Sequence, residues 1–213
     1  MDGLLLDTEP LWGESMLEVA RAHKVNIQSD FFKYTTGLRI NEVTAFWQER
    51  FGWQSSISSQ GMADEIVENI IQRSIDHGNV MPGVLQTLEW CKKEGILMGV
   101  ATSSPQKMMD ALLQHFGIYS YFNQCVSAEL CSHGKPHPAV YLECATKMNV
   151  LPWNCIAMED SINGMVSAKA ARMKVVAIPE SYLNSNPAFG LANLKINTMA
   201  QFNKKMYDEL LLQ

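Results

Sequence analysis

Three short stretches of the sequence carry side chains that could bind or transfer a charged group. They are 102–105 (TSSP), 132–138 (SHGKPHP) and 159–161 (EDS). Each lies near the end of an apolar run that is typical of a buried strand. In open parallel sheets, ligands bind beyond the carboxyl ends of the strands. We therefore expect the three stretches to share one edge of a sheet.

The first stretch is typical of an anion site. Thr102, Ser103 and Ser104 stop an apolar run, and Pro105 suits the first turn of a helix. Hydroxyl groups and backbone N–H groups at a helix N-terminus bind anions. The alternative is that Ser104 only caps the helix.

The third stretch is typical of a metal site. The adjacent carboxylates of Glu159 and Asp160 repel each other unless one is protonated or a cation lies between them. A hard divalent ion prefers such oxygen ligands. The alternative is that Asp160 caps a helix and Glu159 is a solvated neighbour.

The second stretch holds a lysine on a restrained backbone. Lys135 lies between Gly134 and Pro136. This restrained backbone is as consistent with a functional lysine as with a solvated surface charge. His133 and His137 could pair on a metal only from one helix face, and Pro136 forbids a continuous helix there. We expect these histidines to be structural.

An anion site, a metal site and a fixed lysine on one sheet edge predict a phosphate-processing pocket. Phosphoryl transfer needs charge neutralisation, positioned donors and an in-line nucleophile. The three stretches supply all of these except the nucleophile.

In this order, and after the opening Asp2-Gly3, the stretches resemble the four motifs of the haloacid dehalogenase superfamily of aspartyl phosphotransferases. The resemblance implies an α/β fold, namely a Rossmann-like doubly wound parallel sheet with an inserted helical cap domain. It also implies Mg²⁺ as cofactor. The first motif of this family is DxDG, in which the first Asp is phosphorylated and the second is the general acid and base. Asp2-Gly3 match its second half, and Met1 falls on the x.

The resemblance also implies a role for each matching residue. Asp2 is then the acid/base and offers its backbone carbonyl to the metal, while Thr102 and Ser103 bind the transferring phosphoryl group. Lys135 neutralises this group and orients the nucleophile, and Asp160 binds magnesium with Glu159 beside it.

The nucleophilic Asp and the first sheet strand then fall upstream of residue 1. We expect the natural product to begin further upstream, because loss of a central strand leaves backbone groups unpaired in two neighbouring strands.

The finer resemblance is to the capped β-phosphoglucomutase-like subgroup and its bacterial sugar phosphatases. It rests on GLLLDTEPLW, TGLRINEV, KPHPAVYLECA and MEDSINGMVSAKAARM. Arg39 is then expected to face the pocket and help select the substrate. The alternative is that Arg39 is a surface arginine at the start of a helix. We expect Glu9 to be a first-turn residue favoured by the helix dipole rather than a ligand.

The resemblance predicts a magnesium-dependent phosphatase with an aspartyl-phosphate intermediate. The expected substrates are 2-deoxyglucose 6-phosphate and hexitol phosphates. The alternatives are a phosphosugar mutase and a catalytically inactive phosphosugar-binding form that lacks the nucleophile.

The elements that must position these residues are short strands alternating with helices. Strands are predicted at 96–101, 155–158 and 174–178, with a weaker one at 121–127. Apolar stripes at helical spacing predict two helices, one from Val84 to Cys91 and one from Met108 to Phe116.

Residues 9–78 have helical stripes without convincing strands, interrupted by a polar loop at 54–60. We expect them to form the helical cap domain, with 1–8 and 79–213 forming the α/β core. The last residues, 204–213, are expected to form a short amphipathic helix or a frayed tail.

Composition narrows the class of partner. The 213 residues carry a net charge of -5 and no long basic run, which argues against nucleic acid. No apolar stretch is long enough for a membrane span, and the acidic start is unlike a secretory signal. The five cysteines are odd in number and scattered, so neither a disulfide framework nor a zinc site is expected. We expect a cytoplasmic monomer or weak dimer that acts on a small phosphorylated sugar or sugar alcohol.

Overall fold

The fold is that of a computed structural model, which describes residues 1–29, 32, 35, 38–53 and 56–212. The helices are α1 (Glu9–Ala22), α2 (Ile40–Phe51), α3 (Ser59–His77), α4 (Val84–Lys93), α5 (Gln106–His115), α6 (Ala139–Lys147), α7 (Ile162–Ala170) and α8 (Lys204–Leu211). The strands are β1 (Gly99–Thr102), β2 (Gln124–Ser127), β3 (Ile156–Glu159), β4 (Lys174–Ala177) and β5 (Leu194–Lys195).

All strand pairs among these elements are parallel. Strand β1 pairs with β2, β3 pairs with β4, and β4 pairs with β5. The strands therefore form one two-stranded and one three-stranded sheet, and no strand of the described residues lies between β1 and β3. This confirms the predicted parallel α/β fold and agrees with the expected lack of a first strand.

Helices cover the strands because their apolar stripes face inward. Helix α5 buries Met108, Met109, Leu112 and Leu113 completely. Helix α6 packs on β1 and β2, and α7 packs on β3 and β4. The two predicted helices of this region are confirmed, and so is the amphipathic helix near the C-terminus, which is α8.

Each predicted strand region contains an observed strand, but most observed strands are shorter or begin later. The first predicted strand began at Ile96, whereas β1 begins at Gly99, because residues 96–98 form an irregular connection after the turn that ends α4. Strand β5 was not predicted, since a strand of two residues leaves no periodic signal.

Helices α1, α2 and α3 pack mainly against one another, and their shared core includes the fully buried Trp47. The ring of Phe32 stacks on Trp47 with centroids 6.2 Å apart. Of the predicted loop at 54–60, residues 54–55 lie outside the described residues, and α3 already begins at Ser59. The division into a cap at 9–78 and a core stays a prediction.

The first eight residues are attached to the segment before α4. The Asp7 amide donates to the Asn79 carbonyl at 2.9 Å, and the Met81 amide donates to the Leu5 carbonyl at 2.9 Å. Leu6 between them is fully buried. These contacts hold Asp2 at the ends of the strands.

Two further expectations concern the whole chain. All five cysteines are free thiols in this structure. Among the described residues, no helix combines the length and apolar character needed to cross a membrane.

Candidate active site

The ends of β1 and β3 meet the first residues of the chain around a pocket of about 230 Å³. Most of the predicted site residues line it, namely Asp2, Thr102, Ser103, Lys135, Glu159 and Asp160. The three sequence stretches therefore do share one edge, as parallel strands require.

The Asp2 carboxylate is held from two sides. Its Oδ1 accepts hydrogen bonds from Thr8 Oγ1 at 2.6 Å and from Trp12 Nε1 at 3.2 Å. Its Oδ2 accepts one from the Ser104 hydroxyl. Thr8 and Trp12 belong to the start of α1 and Ser104 follows β1, so two separate elements fix the orientation of this carboxylate.

The hydroxyl stretch after β1 supplies one free donor. Ser103 Oγ is buried, lines the pocket and makes no hydrogen bond within the described part of the chain. A buried hydroxyl of this kind is ready to bind an incoming oxygen, because leaving it unpaired costs free energy.

Ser104 does not have the capping role considered from sequence. Helix α5 begins at Gln106 with Pro105 as its N-cap, and the Ser104 hydroxyl donates to Asp2 instead. The Ser104 amide donates to Thr102 Oγ1 at 3.1 Å, which tightens the turn after β1.

Lys135 is a buried cation. Its Nζ donates to Glu159 Oε1 at 2.6 Å and to the Ala101 carbonyl at 3.0 Å. It also lies 4.9 Å from the centre of the Tyr141 ring, and the Tyr141 hydroxyl donates to Glu159. Lys135 is 8% exposed, so the alternative of a solvated surface lysine is wrong.

Glu159 is 4% exposed and is not a solvated neighbour. Burial raises the pKa of its carboxyl, but the Lys135 ammonium, the N-terminal charge and the hydrogen bonds from Lys135 and Tyr141 together outweigh burial and lower the pKa below its ordinary value. Its other oxygen accepts a hydrogen bond from Ser161 Oγ at 3.2 Å. These contacts let Glu159 orient Lys135, and a role as metal ligand stays a prediction.

Two glycines allow the backbone to pass close to the carboxyls of Glu159, which ends β3, and Asp160, which follows it. A Cβ on Gly164 would lie 2.1 Å from the Glu159 carboxyl carbon. A Cβ on Gly3 would lie 2.7 Å from Asp160 Oδ2, and the φ of Gly3 is +65°. Only glycine fits both demands at position 3.

Asp160 faces a strongly acidic environment. Burial and then the Glu159 charge raise its pKa to about 7. The alternative that Asp160 caps the next helix is wrong, because Ser161 is the N-cap of α7 and accepts from the Gly164 amide at 3.1 Å.

The pocket also gathers carboxyls that the sequence did not assign to it. Glu9 and Glu180 line it together with Asp2 and Asp160. Loss of hydration at the pocket wall, and then the charges of Asp2 and Asp160, raise the pKa of Glu9 to about 8. Glu9 is in the first turn of α1, as expected, but it also faces the site.

This excess of negative charge fits a hard divalent cation. The described residues hold no ready cluster of three or more histidine, cysteine or acidic side chains. Mg²⁺ does not require one, since it is usually held by one or two carboxylates, water and substrate phosphate. The pKa of the Asp160 carboxyl is raised, and a cation bound next to it would lower this pKa again.

The other wall of the pocket comes from α1, α2 and the residues between them, and we call it the roof. Its apolar members are Trp12, Met16, Phe32, Leu38, Ile40 and Val43, and Thr35 is next to them. We call the opposite wall, made by Asp2 and the residues after β1 and β3, the floor.

Arg39 lies outside the lining of the pocket, although Leu38 and Ile40 on either side belong to it. Its Nη1 donates to the carbonyls of Ala128 at 3.3 Å and Cys131 at 3.1 Å. The expected orientation into the pocket is therefore wrong for this structure. Arg39 fastens the start of α2 to the segment after β2, and its part in substrate selection stays a prediction.

The two histidines near Lys135 also lie outside the pocket lining. Their rings are exposed and contact each other with centroids 4.6 Å apart. The prediction that they are structural stays a prediction.

Sequence reasoning missed Thr8, Trp12 and Tyr141. Thr8 and Trp12 are four positions apart at the start of a helix, so they share a face next to Asp2, which is a signal that could have been used. Tyr141 leaves no such signal, because its contact with Glu159 exists only after α6 packs on the sheet.

Several known proteins are similar to this chain over most of its length. A family described as haloacid dehalogenase-like hydrolases matches residues 1–178. Hexitol phosphatase B of Escherichia coli (strain K12) is 38% identical over 210 residues, which is 96% of this chain and 92% of the relative. The fructose-1-phosphate phosphatase YqaB of the same strain is 29% identical over 84% of this chain and 93% of its own length. The crystal structure of β-phosphoglucomutase from Clostridium difficile has a TM-score of 0.84 at 24% identity, covering 99% of this chain and 94% of that one.

Proposed function

Because the chain belongs to the haloacid dehalogenase-like hydrolase family, we propose that it is a magnesium-dependent sugar-phosphate phosphatase that acts through an aspartyl-phosphate intermediate. Its named relatives are phosphatases, which makes it a phosphoric monoester hydrolase. The observation that carries the proposal is the floor of the pocket. There a fixed carboxylate, a free hydroxyl donor and a buried ammonium surround one small space.

The phosphoryl group is bound by Ser103, Thr102 and Lys135. The free Ser103 hydroxyl donates to one phosphoryl oxygen, and the Lys135 ammonium neutralises the charge that develops on the oxygens during transfer. Glu159 and Tyr141 keep the ammonium in place before the substrate arrives. Such preorganisation costs no rearrangement at the moment of reaction.

Asp2 moves the protons. In its protonated form it donates a proton to the bridging oxygen as the sugar leaves, and as carboxylate it then takes a proton from the water that hydrolyses the phosphorylated enzyme. Thr8, Trp12 and Ser104 hold this carboxylate in position. In the family motif, the carboxylate that accepts the phosphoryl group stands two positions before Asp2.

Asp160 and the backbone carbonyl of Asp2 are the proposed magnesium ligands, with Glu159 as a further candidate. When bound, Mg²⁺ supplies charge neutralisation at the phosphoryl oxygens. Asp160 contributes by keeping its carboxyl at the floor, where Gly3 allows the chain to pass close to it.

The substrates we propose are 2-deoxyglucose 6-phosphate and hexitol phosphates. Two relatives named as phosphatases of hexitol phosphate and fructose 1-phosphate support this class. The apolar roof is suited to cover the carbon skeleton of a small sugar and to exclude bulk water from the floor. We also propose that the cap at 9–78 closes over the substrate, as lids of this kind do.

The test uses two forms of the protein, because the chain carries only the second half of the DxDG motif. One form is the 213-residue chain, and the other is the same chain preceded by an apolar segment that ends in Asp. Both forms should bind 2-deoxyglucose 6-phosphate in calorimetric titration with Mg²⁺. The extended form should release inorganic phosphate from it.

Chelation of the metal or Asp160→Asn should abolish that release. An exposed carboxyl on α2 provides the matched control, Glu49→Asn, which should leave release unchanged. Conversion of the substrate into an isomeric sugar phosphate without release of phosphate would show a mutase instead. Absence of both reactions in the extended form with each proposed substrate would refute the phosphatase assignment.

A further inference from the structure

The segment that follows β4 forms a third part of the pocket, at its mouth. Glu180, Tyr182 and Leu183 line the pocket together with the floor and the roof, and we call these three residues the rim. Tyr182 is 72% exposed although it lines the pocket. Its ring therefore lies where the pocket opens to solvent.

The rim is held in place from both ends. Before it, the Ile178 amide donates to the Glu159 carbonyl at 2.7 Å, which ties the segment to the end of β3. After it, the Asn184 carbonyl accepts from Lys195 Nζ at 2.8 Å. Residues 181–183 between these contacts form one short 3₁₀ turn. A side chain on a loop that the scaffold fixes in this way is well placed for a role in binding.

The polar groups of the rim are free to bind a ligand. Neither the Tyr182 hydroxyl nor the Glu180 carboxylate makes a hydrogen bond or an ion pair within the described part of the chain. Loss of hydration, and then the Glu180 charge ahead of those of other pocket carboxyls, raise the pKa of Tyr182. The Tyr182 hydroxyl therefore lies on the acidic side of the pocket.

The roof leaves the hydroxyl groups of a sugar without free donors. Two of its side chains carry a polar group, and both already donate, Trp12 Nε1 to Asp2 and Thr35 Oγ1 to the Phe32 carbonyl. A polar group that is covered without a partner costs free energy. The hydroxyl groups of a covered substrate therefore need partners away from the roof, and the free groups of the rim are suited to supply them.

The mouth of the pocket also carries charge of one sign. Glu9 and Glu180 line the pocket, and Lys135 is the only lysine or arginine among the described lining residues. Lys135 is engaged with Glu159 at the floor. A substrate with a second anionic group remote from its phosphate would bring that group next to Glu180, where the described residues offer no cationic side chain to neutralise it. Like charges in such a place repel each other.

We infer that Glu180 and Tyr182 determine specificity, by selecting phosphate monoesters whose leaving group is neutral and rich in hydroxyl groups over those with a second anionic group. The inference rests on the proposed function, which places the phosphoryl group at the floor. The Tyr182 hydroxyl donates to one hydroxyl oxygen of the leaving group, and the Glu180 carboxylate accepts from another hydroxyl. Neither side chain touches the reacting atoms, so both act on recognition rather than on transfer.

The test compares two esters of equal carbon number that differ at the end remote from the phosphate. Sorbitol 6-phosphate ends there in a hydroxymethyl group, whereas 6-phosphogluconate ends in a carboxylate. In calorimetric titration of the 213-residue chain with excess Mg²⁺, sorbitol 6-phosphate should bind at least about tenfold more tightly. Equal binding of the two esters, or tighter binding of 6-phosphogluconate, overturns the inference.

Glu180→Gln removes the charge of the rim and keeps its shape. This substitution should raise the affinity for 6-phosphogluconate by about three- to tenfold. Higher salt should narrow the preference of the unsubstituted protein but not that of Glu180→Gln, because salt screens a partly exposed charge. Glu49→Gln, which is exposed and outside the pocket lining, is the control and should keep the full preference. A full preference in Glu180→Gln as well overturns the role of Glu180.

Tyr182→Phe keeps the ring and removes only the hydroxyl. The affinity for sorbitol 6-phosphate should fall by about two- to tenfold, as for the loss of one hydrogen bond. The affinity for n-hexyl phosphate, which has no hydroxyl groups, should not change. Tyr119→Phe is the matched control, because Tyr119 is 39% exposed and outside the pocket lining. Equal losses for the two esters in Tyr182→Phe overturn the role of the hydroxyl.

Phosphate release separates this inference from the proposed function. In the extended form described above, Tyr182→Phe should raise KM for sorbitol 6-phosphate with little change in kcat. Release from sorbitol 6-phosphate and 6-phosphogluconate with equal kcat/KM overturns the inference and leaves the phosphatase assignment standing. The expected binding preference without any release supports the inference and counts against the phosphatase assignment. If neither ester binds or reacts, the phosphatase assignment is refuted and the inference falls with it.

Discussion

The floor and the roof of the pocket are built in different ways. On the floor, polar side chains hold one another, as in the bonds from Thr8 to Asp2 and from Lys135 to Glu159. On the roof, apolar side chains such as Leu38 and Ile40 face the same space and offer only contact area. The floor is therefore organised before a ligand binds, whereas the roof gains its contacts only when a ligand is present.

This difference separates reaction chemistry from recognition. Fixed dipoles and charges lower the barrier to phosphoryl transfer because they need not reorient. Apolar contacts stabilise bound substrate and transition state to a similar extent, so they change KM more than kcat. Substitutions on the two walls should therefore have kinetic effects of different kinds.

Among the substitutions that compare the two walls, the largest effect is expected from Asp2→Asn on the floor. The amide keeps the shape and the bonds from Thr8 and Trp12, but it cannot donate and accept the proton of the reaction. In the extended form, kcat should fall by about 10²- to 10⁴-fold with little change in KM. The exposed neighbour provides the control, since Asp7→Asn should retain kcat. A comparable loss in both variants would show that the effect is not specific to the acid/base position.

A smaller effect on the floor is expected from Gly3→Ala. The left-handed backbone of Gly3 costs an alanine about 1–2 kcal/mol, and the new Cβ also meets Asp160 Oδ2 at 2.7 Å. Stability in urea should fall by at least this amount, and binding of Mg²⁺ should weaken in calorimetry. Gly95→Ala is matched, because its φ of +69° is similar but nothing lies within 4 Å of the added Cβ. Equal Mg²⁺ binding by the two variants would contradict the contact with Asp160.

On the roof, Leu38→Ala should change KM rather than kcat. Leu38 is 36% exposed and lines the pocket, so its loss removes part of the apolar contact with the sugar. We expect KM for 2-deoxyglucose 6-phosphate to rise by about two- to tenfold, as for the loss of part of one buried leucine. Leu85→Ala, on the exposed surface of α4, should leave both constants unchanged. A fall in kcat at constant KM would contradict the expectation that the floor determines kcat and the roof determines KM.

The smallest effect concerns Glu9, where the two walls meet. The pKa of Glu9 is raised from 4.5 to about 8 by loss of hydration and then by Asp2 and Asp160. The folded protein therefore binds more protons than the unfolded chain between these pH values, and its stability decreases as pH rises through this window.

In metal-free buffer, Glu9→Gln should make this decrease shallower, as measured by urea unfolding at several pH values. Asp160, whose pKa is also raised, should leave a remaining slope of the same sign. Glu49→Gln on α2 is the control and should follow the unsubstituted protein. If the dependence of stability on pH is unchanged in Glu9→Gln, the carboxyls of the floor do not raise the pKa of Glu9.

Much of the fold could be predicted because buried parallel strands can be recognised in the sequence as short apolar runs. The runs at 155–158 and 174–178 coincide closely with β3 and β4. Strand β1 was placed three residues too early, since Ile96 and Leu97 are as apolar as a strand but lie in the connection between the turn after α4 and β1. Local pattern does not distinguish the two cases.

The site could be predicted where a residue type follows a strand end. Thr102, Lys135 and Asp160 all reach the pocket, as expected from their places in the sequence. Arg39 was expected at the pocket too, but the carbonyls of Ala128 and Cys131 attract its guanidinium to the neighbouring segment. No sequence pattern near residue 39 predicts acceptors that lie about ninety positions away.

The sequence by itself determined the family, the parallel α/β class and the residue types on the floor, because these depend on local order along the chain. Only the tertiary structure decided which groups hold Asp2, that Glu159 is buried against Lys135, and that an apolar cleft separates β1 from β3. The physical reason is that hydrogen bonds and burial depend on distances in space. Those distances are set only when helices and strands remote in sequence pack together.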